Sequence, residues 1–159
     1  MGELALMGTA FAFGIGSAIL PIFLNAEVYV ATMSQLAPQS QLVAIVLALC
    51  VGTVIGKAFV FELARQGRRV IRAKERKPAR NAFIRRMRQF SDWLLTLLDR
   101  PVAGGLTVFV SSISGIPPLA VVTIIAGASN QNRWVFYLMV FVGRAAQFLA
   151  IAFVGAHAF

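Results

Sequence analysis

Residues 111–118 read Ser-Ser-Ile-Ser-Gly-Ile-Pro-Pro, and they interrupt an apolar segment that runs from Leu106 to Gly127. Proline lacks a backbone N–H and keeps the residue before it out of the helical region. A helix in this segment must therefore open near Gly115. The backbone groups that it frees are tolerated in lipid only where protein buries them or where they line a wet cavity. The stretch thus predicts a broken helix beside a polar cavity.

A similar arrangement occurs earlier in the chain, where the apolar segment Phe11–Val30 is broken at Pro21. Each broken segment is followed by an unbroken apolar span with one interior cation. These spans are Leu42–Ala64 with Lys57 and Trp134–Gly155 with Arg144. Paired broken helices in the two halves of a membrane protein indicate a transport site between them.

The composition is that of an integral membrane protein. The chain has 159 residues, of which 58% are hydrophobic and 13% are charged, and its mean hydropathy is +0.78. A soluble domain has about 25% charged residues. We predict one all-helical membrane domain over residues 1–159. It comprises a first repeat at 1–64, a basic linker at 65–101 and a second repeat at 102–159.

The net charge of +9 is concentrated in the middle of the chain, because thirteen of the fifteen Lys and Arg lie from Lys57 to Arg100. Basic loops of membrane proteins stay in the cytoplasm, so this pattern favours a cytoplasmic linker over a nucleic-acid partner. From Pro78 onward, apolar residues recur at helical spacing. This predicts either a basic amphipathic helix on anionic lipid or a linker packed on the protein. The residues expected at the lipid surface are Arg80, Arg85, Arg86, Arg88 and Trp93.

The position of Arg133 distinguishes two topologies. If both broken segments re-enter, the two halves are inverted relative to each other and Arg133 is cytoplasmic. If all four segments cross fully, Arg133 lies outside. The positive-inside rule favours the re-entrant topology.

The chain contains no GxSxG, HExxH, P-loop or CxxC motif, and one cysteine and one histidine offer little acid–base or metal chemistry. We therefore expect no enzyme, no metal and no cofactor. An ionisable residue inside a membrane usually faces the protein interior or water. Arg144 is the strongest candidate, with a structural ion pair as its alternative. Lys57 could instead snorkel to the interface, and Glu27 could bind protons or cations, or pair with either cation. The predicted substrate-binding set is Arg144, Lys57, Glu27, Ser111, Ser112, Ser114, Gly115, Pro117 and Pro118.

These motifs, in this order, resemble the VTT/DedA superfamily of membrane proteins, and most closely its YqaA-type branch. In the first half the resemblance rests on Pro21, Asn25-Ala26-Glu27 and Gly52-x3-Gly56-Lys57-x3-Phe61. In the second half it rests on Ser111–Pro118, Ala126-Gly127, Gly143-Arg144 and Phe148.

The resemblance implies re-entrant hairpins that face each other, and lipid translocation. Several members are linked to undecaprenyl phosphate recycling, and eukaryotic relatives are linked to phospholipid scrambling. Glu27 is similar to the family's acidic residue after the first re-entrant tip. The chain departs from DedA members at Lys57, where they usually have an acid, and at Ser112 and Leu119, where they have arginines. These departures weaken the case for proton coupling and assign anion binding to Lys57 and Arg144.

The expected function is translocation of an anionic lipid, undecaprenyl phosphate or a phospholipid. We expect a flippase-like, multi-pass protein of the bacterial inner membrane that forms a homo-oligomer. Two alternatives stay open. One is an exporter of small molecules or ions. The other is a membrane scaffold that binds anionic lipid through its basic helix without transporting it.

Overall fold

The computed structural model describes residues 2–20, 25–73 and 81–157, with the side chains of 2–20, 25–70 and 81–155. These residues form eight helices and no strand, which confirms the all-helical prediction. The helices are α1 (Glu3–Ile19), α2 (Ala26–Leu36), α3 (Gln39–Gln66), α4 (Arg68–Ala73), α5 (Ala82–Leu98), α6 (Pro101–Ser114), α7 (Leu119–Ala128) and α8 (Arg133–His157). The predicted break at Pro21 and the predicted surface residue Arg80 lie outside the described residues.

Two of the described helices are long and apolar enough to cross a membrane. They are α3 and the Arg133–Gly155 part of α8, whose most apolar windows have mean hydropathies of 2.4 and 1.9. At a rise of 1.5 Å per residue they extend about 42 Å and about 35 Å. By the same rise, α6 and α7 extend only about 21 Å and about 15 Å, so neither alone spans a hydrocarbon core of about 30 Å.

The second broken segment opens at Gly115, as the sequence predicts. Helix α6 ends at Ser114, and Gly115 follows with a φ of 71°, a left-handed conformation that glycine adopts without steric cost. Pro118 is the residue before α7, and its fixed φ suits a helix start. The chain therefore reverses between α6 and α7 at a tip formed by residues 115–118.

The two ends of this α6–α7 hairpin meet. Asp99 precedes α6, and its Oδ1 accepts a hydrogen bond from the backbone N–H of Asn130, which follows α7, at 2.9 Å. Arg68, at the start of α4, donates a hydrogen bond to the Asn130 side chain. The hairpin thus begins and ends on the side where α4 starts.

The helices of the two halves exchange partners. Within each half, α1 packs on α3 and α6 packs on α8. Across the halves, the shorter α2 packs on α8 and α7 packs on α3. Glycines make the closest approach possible, because a Cβ at Gly56 would lie 2.6 Å from the Ala18 Cβ and one at Gly52 would overlap the Phe11 carbonyl.

Two hydrophobic cores flank the middle of the molecule. The first contains Leu49 of α3 and Phe148 of α8, and the second contains Phe61 of α3 and Phe136 of α8. Phe61 and Phe136 stack with ring centroids 4.6 Å apart. The long helices therefore pass through the two cores in opposite order. In each of them the interior cation, Lys57 or Arg144, comes between the residues of one core and those of the other.

Helix α5 is buried at its C-terminal half. Leu94 and Leu98 are buried in the second core, against α6 and α7. The apolar residues nearer its start, Phe83, Met87 and Phe90, are exposed. Half of this amphipathic helix therefore lacks a cover within the described chain.

Candidate functional site

A cavity of about 220 Å³ lies between the two halves. Both broken segments reach it, the first with the start of α2 and the second with its tip and the start of α7. The interior cations of α3 and α8 reach it as well. The lining residues are Ser17, Ala18, Asn25, Ala26, Glu27, Thr53, Lys57, Gly115, Pro118, Leu119, Ala120 and Arg144.

Arg144 is held on one side of this cavity by a small polar network. Its Nη1 donates to Gln147 Oε1 at 2.6 Å and lies 3.4 Å from Glu27 Oε1. Gln147 Nε2 donates to the same Glu27 oxygen at 2.9 Å. The guanidinium also lies over the Phe148 ring, 5.4 Å from its centroid, within cation–π range. The Glu27 pairing that the sequence left open is therefore with Arg144.

The Arg144 network is incomplete. Its Nε is buried and has no hydrogen-bond partner among the described residues. A buried donor without a partner costs about 1–3 kcal/mol. The Glu27 side chain is 44% exposed, against 14% for the Arg144 side chain. The guanidinium is thus fixed inside the protein, while its carboxylate partner is reachable from outside.

Lys57 is buried, at 3% exposure, and does not snorkel. Its Nζ donates to the Ala18 carbonyl oxygen at 2.9 Å. Ala18 is in the last turn of α1, where carbonyls have no partner within the helix and where the helix dipole favours a cation. Lys57 therefore caps the C-terminal end of α1 and contributes its positive charge to the cavity.

Two helix N-termini complete the site. Asn25 caps α2, and its Oδ1 accepts a hydrogen bond from the Glu27 backbone N–H at 2.9 Å. Helix α7 starts at Leu119, and Leu119 and Ala120 line the cavity with Pro118. The first N–H groups of a helix have no partner within it and form the positive end of its dipole. The cavity therefore combines two positive helix ends and two cations with a single carboxylate.

The three predicted serines bond to backbone groups around the second tip. Ser111 Oγ donates to the Pro117 carbonyl, and Ser112 Oγ donates to the Val108 carbonyl at 2.7 Å. Ser114 Oγ bonds to the Val110 carbonyl at 2.7 Å and accepts from the Ile116 N–H at 3.2 Å. The bonds to the Pro117 carbonyl and the Ile116 N–H satisfy backbone groups at the break, whereas the bonds to the Val108 and Val110 carbonyls lie within α6. A role for the serines in substrate binding stays a prediction.

The structure brings together Arg144, Lys57, Glu27, Gly115 and Pro118 on the cavity wall, whereas Pro117 faces a second depression beside α5. Sequence reasoning missed Gln147, which bridges Arg144 and Glu27. It also missed Asn25 as a helix cap, although Asn directly before a helix is a typical cap signal. Helical i,i+3 spacing could have indicated Gln147 as the neighbour of Arg144, but no spacing rule could have indicated its bond to Glu27, which is 120 residues away.

Of the predicted lipid-surface residues, Arg85, Arg86 and Trp93 are exposed on α5, and Arg88 is partly buried. Arg80 lies outside the described part of the chain. Phe90 and Trp93 lie side by side with ring centroids 6.0 Å apart. Arginines and exposed aromatic rings thus share this helix.

Two described helices long and apolar enough to span a membrane, with a charged cavity between them, indicate a helical membrane protein. The family model of the VTT domain matches residues 20–157, which include residues 20–30 of the first broken segment, all of the second, both long helices and every residue lining the cavity except Ser17 and Ala18. The chain belongs to the VTT domain family, within the DedA superfamily. This family is membrane-associated and transporter-like or flippase-like, and its members are generally regarded as non-enzymatic. The YqaA-type branch stays a prediction.

No curated protein and no solved structure matches this chain.

Proposed function

We propose that this protein translocates an anionic lipid, undecaprenyl phosphate or a phospholipid, across the bacterial inner membrane. The observation that carries the proposal is the cavity where two helix N-termini, Lys57 and Arg144 meet. Because the cavity has about 220 Å³, below the range of about 300–1,000 Å³ for drug-sized ligands, it suits a headgroup rather than a whole lipid.

The charges of the cavity favour a phosphate headgroup. Helix N-termini bind phosphate through free N–H groups and the positive dipole end. A guanidinium adds a planar set of donors that matches two phosphate oxygens, and the Nε of Arg144 has no partner within the described chain. The carboxylate of Glu27 competes with a phosphate for the guanidinium. Because the Glu27 side chain is nearly half exposed, it can rotate away from Arg144 when an anion binds.

We propose further that the chain is a multi-pass protein made of two inverted repeats, each with a re-entrant hairpin. The meeting of Asp99 with Asn130 supports re-entry of the second hairpin, since its ends share one side and its helices are short. The opposite order in which α3 and α8 pass through the two cores supports inversion.

The side occupied by Arg133 also supports this topology. Arg133 Nη1 lies 3.6 Å from Glu62 Oε1, one turn from Arg65 at the end of α3. Arg133 therefore shares a side with the start of the basic linker, which the positive-inside rule assigns to the cytoplasm. The re-entrant topology requires this arrangement.

Liposomes that contain the purified protein and several fluorescent lipids test the proposal. Arg144→Gln should abolish movement of the anionic lipids between leaflets. Arg133→Gln removes the same charge outside the cavity, at a side chain that is 50% exposed, and should leave the movement intact. Arg144→Lys should restore it only partly, because an ammonium lacks the planar donor set.

Thermal unfolding in detergent checks that each variant folds. Full transport by a folded Arg144→Gln protein would overturn the proposal. Transport of a soluble phosphate instead of lipids would favour the exporter alternative.

The scaffold alternative is supported by α5, whose exposed residues include Arg85, Arg86, Phe83 and Trp93. A basic amphipathic helix of this kind binds an anionic membrane surface. If the protein is a scaffold, changes to Arg85 and Arg86 should abolish the binding of anionic lipid by α5. Arg144→Gln should leave that binding unchanged.

A further inference from the structure

A second depression, of about 260 Å³, lies between α5 and α6. Its walls are Trp93, Leu97, Leu106, Thr107, Val110 and Pro117, which we call the α5–α6 groove. Its one hydroxyl, Thr107 Oγ1, already donates to the Ala103 carbonyl at 2.8 Å. The groove therefore offers an occupant almost no unsatisfied polar group.

The tip of the α6–α7 hairpin separates this groove from the charged cavity. Pro117 lines the groove, and its chain neighbour Pro118 lines the cavity together with Gly115. A molecule that passes over the tip would thus reach an apolar compartment on one side and a cationic compartment on the other. Ile116 lies between Gly115 and Pro117 at the tip and is 77% exposed, so the tip is at the protein surface and no other part of the described chain covers it.

We infer that the α5–α6 groove holds an acyl or prenyl chain of the lipid whose phosphate headgroup occupies the cavity. This inference rests on the proposed function, and it supplies what the cavity lacks, because about 220 Å³ has no room for a long chain. The ligand class is therefore a phosphate ester with a long hydrocarbon chain. A soluble phosphate would use the cavity alone.

The groove orients the lipid rather than adding much affinity. Hydrocarbon gains little by moving from a bilayer into a protein groove, since lipid tails are as apolar as the groove walls. Packing against Trp93 and Leu106 fixes where the chain leaves the headgroup. Both residues, like Val110, are more than half exposed, so the groove is open along its length and the chain can slide in sideways.

Photo-crosslinking with a phosphatidic acid that has a diazirine in one chain tests this assignment in lipid nanodiscs. We expect the peptide that contains Leu106 and Val110 to be labelled severalfold more than the exposed apolar face of α3 at Leu47 and Val51. Arg144→Gln should reduce the groove labelling to the level of the α3 face, because the headgroup no longer anchors the lipid. Labelling of α3 should not change.

Groove-filling variants provide the second arm. Val110→Trp and Leu106→Trp should each lower groove labelling severalfold, and both positions are half exposed, so a larger side chain can be accommodated. Binding of glycerol phosphate, a headgroup without a chain, should stay at the wild-type level. Leu47→Trp, on the α3 face, is the matched control and should leave groove labelling unchanged.

The outcomes separate the two proposals. If glycerol phosphate binds in an Arg144-dependent way but groove and α3 are labelled equally, the groove assignment is overturned and the proposed function stands. If no anionic ligand binds in an Arg144-dependent way, both fail. A disulfide between two chains that each carry Leu106→Cys would show that a second copy occupies the groove, and would also overturn the assignment.

Discussion

Replacing Gly56 by alanine tests whether close contact between α1 and α3 builds the cavity. An added Cβ would lie 2.6 Å from the Ala18 Cβ and 2.8 Å from the Ile15 carbonyl oxygen. Carbon atoms pack at about 3.5–4.0 Å, so the helices must separate by roughly 1 Å. Overpacking of this kind costs about 1–3 kcal/mol. The better helix propensity of alanine returns at most about 1 kcal/mol.

Gly8→Ala is the matched control, because Gly8 lies on α1, the other helix of this contact, and an added Cβ there has no heavy atom within 4 Å. Gly8→Ala should only gain helix propensity, so it should stabilise the protein, whereas Gly56→Ala should destabilise it. At about 2–4 °C per kcal/mol, Gly56→Ala should lower the midpoint of thermal unfolding in detergent by a few degrees, whereas Gly8→Ala should raise it slightly.

Separation of α1 from α3 would also stretch the bond from Lys57 to Ala18. The ammonium of Lys57 would then lose its fixed position on the cavity wall. Gly56→Ala should therefore weaken headgroup binding, measured by titration with glycerol phosphate, while Gly8→Ala should not. An unfolding midpoint for Gly56→Ala at or above the wild-type value, with unchanged binding, would refute the idea that this contact shapes the cavity.

Three further changes give distinct readouts. Glu27→Gln removes the carboxylate that competes for Arg144 and should strengthen glycerol phosphate binding, by up to about fivefold for a partly exposed pair worth about 1 kcal/mol; weaker binding would contradict this role. Gly115→Ala places a Cβ at a φ of 71° with no neighbour within 4 Å, so backbone strain alone should cost about 1–2 kcal/mol in thermal unfolding, and Gly115→Asn should cost less. Changing Arg85 and Arg86 together to Gln should lower the preference for spin-labelled anionic over zwitterionic lipid, measured by electron paramagnetic resonance, by about 1 kcal/mol per arginine without affecting headgroup binding; an unchanged preference would show that α5 does not contact anionic lipid.

Sequence patterns predicted the features that depend on local chemistry. The long apolar runs gave α3 and α8 to within a few residues, and the glycine and prolines at 115–118 gave the break, because each acts on its own backbone. The short helix α4 was not predicted. Its six residues present too few turns for a periodic pattern to be recognised.

Long-range pairing was harder to predict. The pairing of Arg144 with Glu27 was one of several possibilities in the sequence, since any buried cation could take that carboxylate. The partner of Lys57 is a backbone carbonyl. Because every residue has one, the amino-acid sequence does not indicate which carbonyl accepts the hydrogen bond. The sequence also could not show that only the second half of α5 is buried, because its apolar stripe continues along the whole helix.

Lys57 and Arg144 occupy matching positions, each preceded by glycine and followed four residues later by a buried phenylalanine, yet their partners differ in a way that divides their roles. The carbonyl that Lys57 caps belongs to the α1 backbone, and a headgroup can displace it only if α1 moves. The carboxylate that Arg144 holds is on a half-exposed side chain, which rotation alone can remove. A headgroup should therefore bind first at Arg144.

The division predicts opposite profiles for two substitutions. Lys57→Met leaves the Ala18 carbonyl without a partner, at a cost of about 1–3 kcal/mol. It should therefore lower the free energy of unfolding more than it lowers the free energy of headgroup binding. Arg144→Gln keeps a polar group for Glu27 and should lower affinity more than stability. Thermal unfolding and glycerol phosphate titration on the same samples measure both quantities. The same ratio of affinity loss to stability loss in the two variants would contradict this division of roles. Lost stability with unchanged affinity in both variants would mean that both cations are structural caps, and the headgroup would then need another partner in the cavity.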